Sequence, residues 1–479
     1  MANGQSGFKG RVNNRTAVNS FIIFNEKYSE RSASVSIGSR LFFPATVKRI
    51  VVDGRVIILS PETANWLVVD EEDIPILDRL IAGETIGTVV ASAESLGGIE
   101  RLKMLLAQIT ARKFASVAAR PSPKIDRSLK GAYFYLTNAC NLRCSHCYMF
   151  SGRAGTRELT AAEWVKVVDD FSECGGTNIT FSGGEVLAKR GWLRIVERAH
   201  KRNISSTILT NGTLWQRDHI KAVAPYLAEV QVSIDGPSEN INALTRGKDA
   251  FRKAVSTAKA FAAEGTRTSI AMTPTLETLH LFCDGFQEFF EENIRGTGIN
   301  VRISHKLLPG REVNALAGEE KSRYEETVRH LADLIYPSSK LRSFSLEHPP
   351  NEPHLNCGFG GASVSADGDV YPCNRISDVL PIGNVRDDKL GELILRLKEP
   401  EMATDVDNIT PCKWCDLRYV CGGGCRIDDY YISDKNGNRS SFRDSPVVLN
   451  SVRKDTCSDD YRLSLLRQMV GVKDYLFPT

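Results

Sequence analysis

Between about residue 130 and residue 340, short apolar runs alternate with amphipathic stretches of helical period. The runs lie at 132–136, 178–181, 206–209, 230–232, and near 267–272 and 299–303. Runs of this length read as buried strands. Strands that alternate with helices argue for βα units and a parallel sheet. One helix start is explicit. Thr160-Ala161-Ala162-Glu163 is a capping box, and Gly175-Gly176 closes the helix that it opens.

The flanks read differently. In 41–118, two β-branched runs at 49–52 and 56–59 flank Asp53-Gly54-Arg55, a hairpin signal. A helix starts near Asp70. Glu71, Glu72 and Asp73 fill its first turn, Ile74, Leu77, Leu80 and Ile81 share one face, and Gly83 stops it. Two further helical segments follow, one containing 89–93 and one spanning 99–115. Residues 1–40 are polar, with one short strand expected at 21–24, and read as a tail. The 119–129 segment begins Ala119-Arg120-Pro121-Ser122-Pro123-Lys124 and reads as a linker to a core at 130–345. In 346–479, cysteine, glycine and proline replace apolar periodicity. Little core and a metal-dependent fold are expected there.

Composition narrows the partners. The chain has 479 residues, 42% hydrophobic and 25% charged, as in soluble multidomain proteins. A net charge of +3 gives no footprint for nucleic acid or for an anionic membrane. No apolar run approaches the roughly 20 residues of a membrane span, and the first 40 residues lack a signal-peptide pattern. A cytoplasmic protein is expected. Its twelve cysteines then argue for metal or redox use rather than disulfides.

The cysteines carry the chemistry. Cys140-x3-Cys144-x2-Cys147, followed by Tyr148, comes directly after the 132–136 strand. Three thiolates at this spacing suit three corners of an iron–sulfur cubane, leaving one iron open. Core thiols or part of a zinc site are the alternatives. The next strand runs into Gly183-Gly184-Glu185, where glycines admit close backbone approach and a carboxylate can accept from an ammonium.

Together these motifs resemble the radical SAM superfamily. The resemblance implies a partial (β/α)6 TIM-like barrel, an α/β fold. It also implies a [4Fe-4S] cluster on Cys140, Cys144 and Cys147, whose open iron binds S-adenosylmethionine. Reductive cleavage then yields a 5′-deoxyadenosyl radical that removes a substrate hydrogen. Gly183, Gly184 and Glu185 would grip the methionine amino group, with Val186 where the family has Pro. Ser233 and Arg246 match the family's ribose and carboxylate contacts, and Tyr148 would flank adenine. Asp235 reads as a cap for the turn at Gly236, and Asn211 as a turn residue or a contact.

The 346–479 segment resembles the SPASM domain through Cys357, Cys373, Cys412, Cys415, Cys421, Cys425 and Cys457. That resemblance implies two auxiliary [4Fe-4S] clusters, three in all. Cys412, Cys415, Cys421 and Cys457 would hold one, and Cys357, Cys373 and Cys425 the other. A fourth cysteine for the second cluster is missing. Asn351 stands at its usual position, with Glu352 and His354 nearby as possible donors. Zinc is the alternative for these cysteines, while Cys174 and Cys283 read as structural thiols. In pattern, 41–118 resembles the PqqD-like winged-helix domains, which take up a leader peptide by β-augmentation; a cap for the catalytic domain is the alternative.

The combined expectation is a peptide-modifying oxidoreductase. It would act on a ribosomally made precursor with a leader, installing a thioether or a C–C/C–O crosslink, and draw electrons from a flavodoxin or ferredoxin. Sulfatase maturation, as in formylglycine generation, is a second reading. There an Asp commonly follows the second SPASM cysteine, where this chain has Asn374. A non-catalytic metal-binding adaptor is a third. No substrate-side acid or base is assigned.

Overall fold

The structure is a computed structural model that describes residues 20–22, 34–92, 98–118, 129–304, 306–335, 351–455 and 457–476. Most of the expected linker, 119–128, and the second half of the expected strand at 21–24 lie outside these residues. Strands β1 (Ser20–Ile22) and β2 (Ser34–Ser36) form a separate antiparallel pair.

Next comes a small three-stranded sheet, β3 (Lys48–Val52), β4 (Arg55–Leu59) and β5 (Trp66–Val69), in the order β3-β4-β5. Helices α1 (Ile74–Ile81), α2 (Ile86–Ala91) and α3 (Ile99–Ala111) cover one face. Val56, Ile58, Leu67 and Val69 pack there against Leu77, Leu80, Leu105 and Ile109. The alternate residues Ile57, Leu59, Trp66 and Val68 point the other way. They pack against Leu465, Leu466, Met469 and Val472 of a distant helix, Asp459–Leu476. Strand β5 has no signature in the sequence. It is buried on both faces, so its four residues show no alternation.

The central sheet is a partial barrel. Six strands run parallel in sequence order: β6 (Gly131–Tyr135), β7 (Asn178–Ser182), β8 (Ser205–Thr210), β9 (Glu229–Ser233), β10 (Arg267–Met272) and β11 (Asn300–Ile303). Helices α4 (Ala161–Glu173), α5 (Trp192–Lys201), α6 (Arg217–Val223), α7 (Glu239–Arg246), α8 (Ala250–Ala263) and α9 (Leu279–Asn293) connect them. Ala132, Phe134, Ile179, Phe181, Ile208, Val230 and Val232 face these helices in one continuous core. Phe134 meets Trp164, Phe171 and Phe181 within 6.2 Å, centroid to centroid. Burying each such ring contributes roughly 1.5–3 kcal/mol. The capping box at Thr160 and Glu163 forms as expected.

The cysteine-rich segment does not start with a break in this sheet. Strand β12 (Ala362–Val364) pairs parallel to β6, and β13 (Asp369–Tyr371) and β14 (Gly383–Asn384) continue outward. The sheet thus has nine strands. Against expectation, the segment also owns a core, in which Phe359, Val379, Ile409, Tyr430, Ile432, Phe442 and Val452 cluster. Its apolar residues are too scattered in sequence to show a period. A small sheet, β15 (Tyr431–Ser433), β16 (Arg439–Ser440) and β17 (Val452–Arg453), lies beside that core. Among the described residues, no helix is long and apolar enough to cross a membrane.

Candidate active site

The loop that bears Cys140, Cys144 and Cys147 leaves the carboxyl end of β6, the end at which such barrels assemble their sites. It is stitched to its neighbours by backbone. Cys140 N donates to Gly152 O at 3.0 Å, Ser145 N to Thr245 O at 3.0 Å, and Glu312 N to Ser145 O at 2.7 Å. Two side chains that sequence reading passed over complete the frame. Glu158 accepts from Asn138 N and Thr137 Oγ1, both at 2.7 Å, and from Gly155 N at 3.0 Å. Arg311 donates to Cys144 O at 2.8 Å and to Ser151 O at 2.5 Å. Neither belongs to a motif, so no local signal marks them.

The three thiols lie close enough to affect one another. Burial raises the Cys140 and Cys144 thiols, and their neighbouring cysteines push in the same direction. All twelve cysteines are free. Half-buried soft donors on one loop that form no disulfide fit an iron–sulfur cluster.

The glycine-rich loop sits against the base of this loop. Gly184 N donates to Thr137 O and Glu185 N to Ala139 O. A Cβ at Gly183, whose φ is +134°, would lie 2.4 Å from Thr137 O, and one at Gly184 would lie 2.3 Å from Ala139 O. Only glycine permits that approach. The Glu185 carboxylate already has partners within the protein. It is 1% exposed and accepts from Thr210 Oγ1 at 2.7 Å and Asn211 N at 2.8 Å. Burial raises its pKa, and those bonds oppose the rise. The side chain therefore braces the turn after β8. Asn211 is more than a turn residue, because its amide reaches Asn141 Oδ1 at 3.0 Å and Cys140 Sγ at 3.7 Å.

Asp235 is not a turn cap either. It is fully buried, and Oδ1 accepts from Thr273 N at 2.9 Å. Its Oδ2 lies 2.5 Å from Arg246 Nε and 3.1 Å from His146 Nε2. Arg246 ends α7 and places Nη1 3.9 Å from Cys144 Sγ. Asp235 therefore takes up one edge of the guanidinium, which leaves less of the fork for a ligand carboxylate than the sequence suggested. Burial holds the His146 imidazole below its usual pKa, although Asp235 pulls it upward. His146 was missed because a lone histidine inside a cysteine motif reads as spacer. Ser233 is the last residue of β9 and is half-buried.

Tyr148 pairs with Tyr135, whose hydroxyl donates to Asn374 O at 2.5 Å. Burial raises Tyr148, and both Cys147 and Cys373 lie near enough to add to the rise. The two tyrosines thus stand between the first cysteine loop and the cysteine-rich segment. There, Cys357, Cys373 and Cys425 form one group, with Cys373 pushed up to about 11, first by burial and then by the other two thiols. Cys415, Cys421 and Cys457 lie together in a second group, joined to Cys412 through Tyr430. Cys174 and Cys283 belong to neither group. Asn351 faces Asn65, and the His354 ring lies against Gly422. A cavity of about 410 Å³ opens beside Cys357, with Tyr133, Asn178, Thr180 and Asn374 on its wall.

The radical SAM superfamily profile matches residues 134–280, and the SPASM profile, an iron-sulfur cluster-binding domain, matches 356–416. Mycofactocin maturase MftC of Mycolicibacterium smegmatis is 27% identical over 315 residues, covering 62% of this chain and 78% of that protein. Sporulation killing factor maturation protein SkfB of Bacillus subtilis is 26% identical over 264 residues, covering 54% of this chain and 63% of that protein. Streptococcus suis SuiB bound to S-adenosylmethionine aligns at 14% identity and a TM-score of 0.46, over 80% of this chain and 95% of that one. That likeness is too loose to place any residue.

Proposed function

We propose that this chain, a radical SAM protein with a SPASM domain whose cofactors are S-adenosylmethionine and more than one iron–sulfur cluster, installs a crosslink in a ribosomally made precursor peptide. The observation that carries this reading is the radical SAM match over residues 134–280 together with the SPASM match over 356–416, with Cys140, Cys144 and Cys147 on the loop after β6. Both curated relatives named above are described as maturation proteins, and that description supports a peptide substrate here.

When bound, the cluster on Cys140, Cys144 and Cys147, together with S-adenosylmethionine, supplies reductive carbon–sulfur cleavage and hydrogen abstraction. The chain's own groups position and enclose. Gly183 and Gly184 keep the loop close to the cysteine loop, and Glu185 fixes the Thr210–Asn211 turn beside it. Asp235 holds Arg246 beside Cys144 and also pairs with His146. Ser233 and Tyr148 complete the proposed cofactor contacts. Cys412, Cys415, Cys421 and Cys457 would hold one auxiliary cluster, and Cys357, Cys373 and Cys425 the other, with a non-cysteine ligand or an open iron.

Residues 41–118 would bind the leader. The helix Asp459–Leu476 covers one face of that sheet and α1–α3 the other, so strand addition is left to an edge. Strand β3 is such an edge, and its Val51 is 65% exposed. A flavodoxin or ferredoxin would supply electrons.

The test is anaerobic reaction of the reconstituted chain with S-adenosylmethionine, a reductant and the short peptides encoded beside its gene, read by mass spectrometry. A loss of two hydrogens on one peptide is expected for a crosslink. Unchanged masses for every such peptide, alongside active cofactor cleavage, would count against a peptide substrate.

A further inference from the structure

The group of Cys412, Cys415, Cys421 and Cys457 has neighbours that no motif describes. Tyr461 Oη lies 3.4 Å from Cys421 Sγ. Tyr461 sits in the first turn of the helix Asp459–Leu476, whose later turns are anchored on the β3–β5 sheet. Lys454 Nζ lies 5.9 Å from the Tyr461 ring centroid and 4.9 Å from that of Tyr430, and donates to Gly423 O at 3.3 Å. Its charge also reaches Cys457, where it acts against the effect of burial. Tyr430 Oη lies 3.4 Å from Cys412 Sγ, but its one proton goes to Gly423 O at 2.5 Å. Asp429 is the nearby carboxylate that works in the opposite sense.

We propose that Tyr461 and Lys454 set the reduction potential of the cluster held by these four cysteines. The proposal rests on the cluster assignment given under Proposed function. Reduction adds one negative charge, spread over the irons and their thiolates. A hydroxyl proton shared with a ligand sulfur stabilises that charge, and so does an ammonium a few ångströms away. Hydrogen bonds to cluster sulfurs and nearby charge are recognised ways of moving such potentials. Both groups act in one direction and raise the potential. Tyr430 contributes packing, because its proton is committed to the backbone.

The experiment is an EPR-monitored redox titration of the anaerobically reconstituted full chain. Cys140, Cys144 and Cys147 are replaced by Ala so that their signal does not overlap. Tyr461→Phe keeps the ring and removes only the hydroxyl; Lys454→Met keeps the stem and removes the charge. Each should make the midpoint of one auxiliary signal more negative. A threefold to tenfold change in the oxidised-to-reduced ratio at fixed poise is expected, tenfold being 59 mV for one electron. Tyr430→Phe should leave that midpoint in place. An intact signal with an unmoved midpoint in Tyr461→Phe overturns the proposal. If Tyr461→Phe loses the signal, Lys454→Met decides in the same way. The underlying assignment has its own control. Cys421→Ala must abolish or transform the signal that Tyr461→Phe shifts, and an unaltered signal there faults the ligand set rather than the tuning.

Discussion

Asn65 and Asn351, far apart in sequence, hold each other through a reciprocal pair of bonds. Asn65 Nδ2 donates to Asn351 Oδ1 at 2.8 Å, and Asn351 N donates to Asn65 Oδ1 at 2.6 Å. Asn65 is 1% exposed and also donates to Lys113 O at 2.9 Å. The pair ties the turn before β5 to the chain just ahead of Cys357. Asn65→Ala would leave Asn351 N and Lys113 O without these partners, at a cost of about 1–3 kcal/mol. A lower Tm and faster proteolytic release of the first 118 residues are expected. An unchanged Tm would show that water replaces the amide at no loss.

Gly184 tests the packing of the two loops. Gly184→Ala places a Cβ 2.3 Å from Ala139 O, next to Cys140. Backbone on both sides leaves nothing flexible to yield. Cleavage of S-adenosylmethionine should fall more than tenfold, while iron bound by the cysteine-rich segment is retained. Chromatography of 5′-deoxyadenosine and an iron assay check the two halves of this expectation.

Asp428 gives a pH test. Burial opposes its charge, but hydrogen bonds from Lys306 at 2.6 Å and Arg375 at 2.5 Å outweigh burial and hold it at about 2. A carboxyl lowered from 3.8 adds stability that is complete above pH 3.8 and disappears as pH falls through about 2. A drop from 3.8 to about 2 corresponds to at most about 2.5 kcal/mol, less what solvent screening removes. Asp428→Asn should therefore lower Tm at pH 7, and the gap should stay constant from pH 8 to pH 5. A gap that narrows within that window would assign the effect to another group.

The leader site has a single-residue test. Val51→Glu puts a charge on the exposed edge strand β3, away from the buried faces. Affinity for a fluorescent leader peptide should drop at least tenfold by anisotropy, with cofactor cleavage unchanged in the absence of peptide. Equal affinity in both proteins would move the leader off that edge.

How much of this was legible depends on whether a feature is local. The six parallel strands and the capping box at Thr160 were readable because each repeats a short period or a spacing. The family match over 134–280 was readable because the Cys140, Cys144 and Cys147 motif and the Gly183–Glu185 motif have fixed spacings. What was not readable joins distant parts of the chain. Asp235 reads as a turn residue until α7 returns Arg246 to it. The bonds that Glu185 accepts from Thr210 and Asn211 appear only once β7 and β8 lie side by side. The β12–β6 pairing and the docking of Leu465 and Met469 on β4 and β5 depend on tertiary packing, which no local pattern encodes.

The central claim is that Cys140, Cys144 and Cys147 form the site where S-adenosylmethionine is cleaved, separately from the cysteine-rich segment. The direct measurement is 5′-deoxyadenosine formed anaerobically by the reconstituted wild type and by the Cys140→Ala, Cys144→Ala, Cys147→Ala triple variant, with iron counted in both. The account predicts product from the wild type and none from the variant, which keeps the iron of its seven SPASM cysteines. Equal product from both proteins would contradict it.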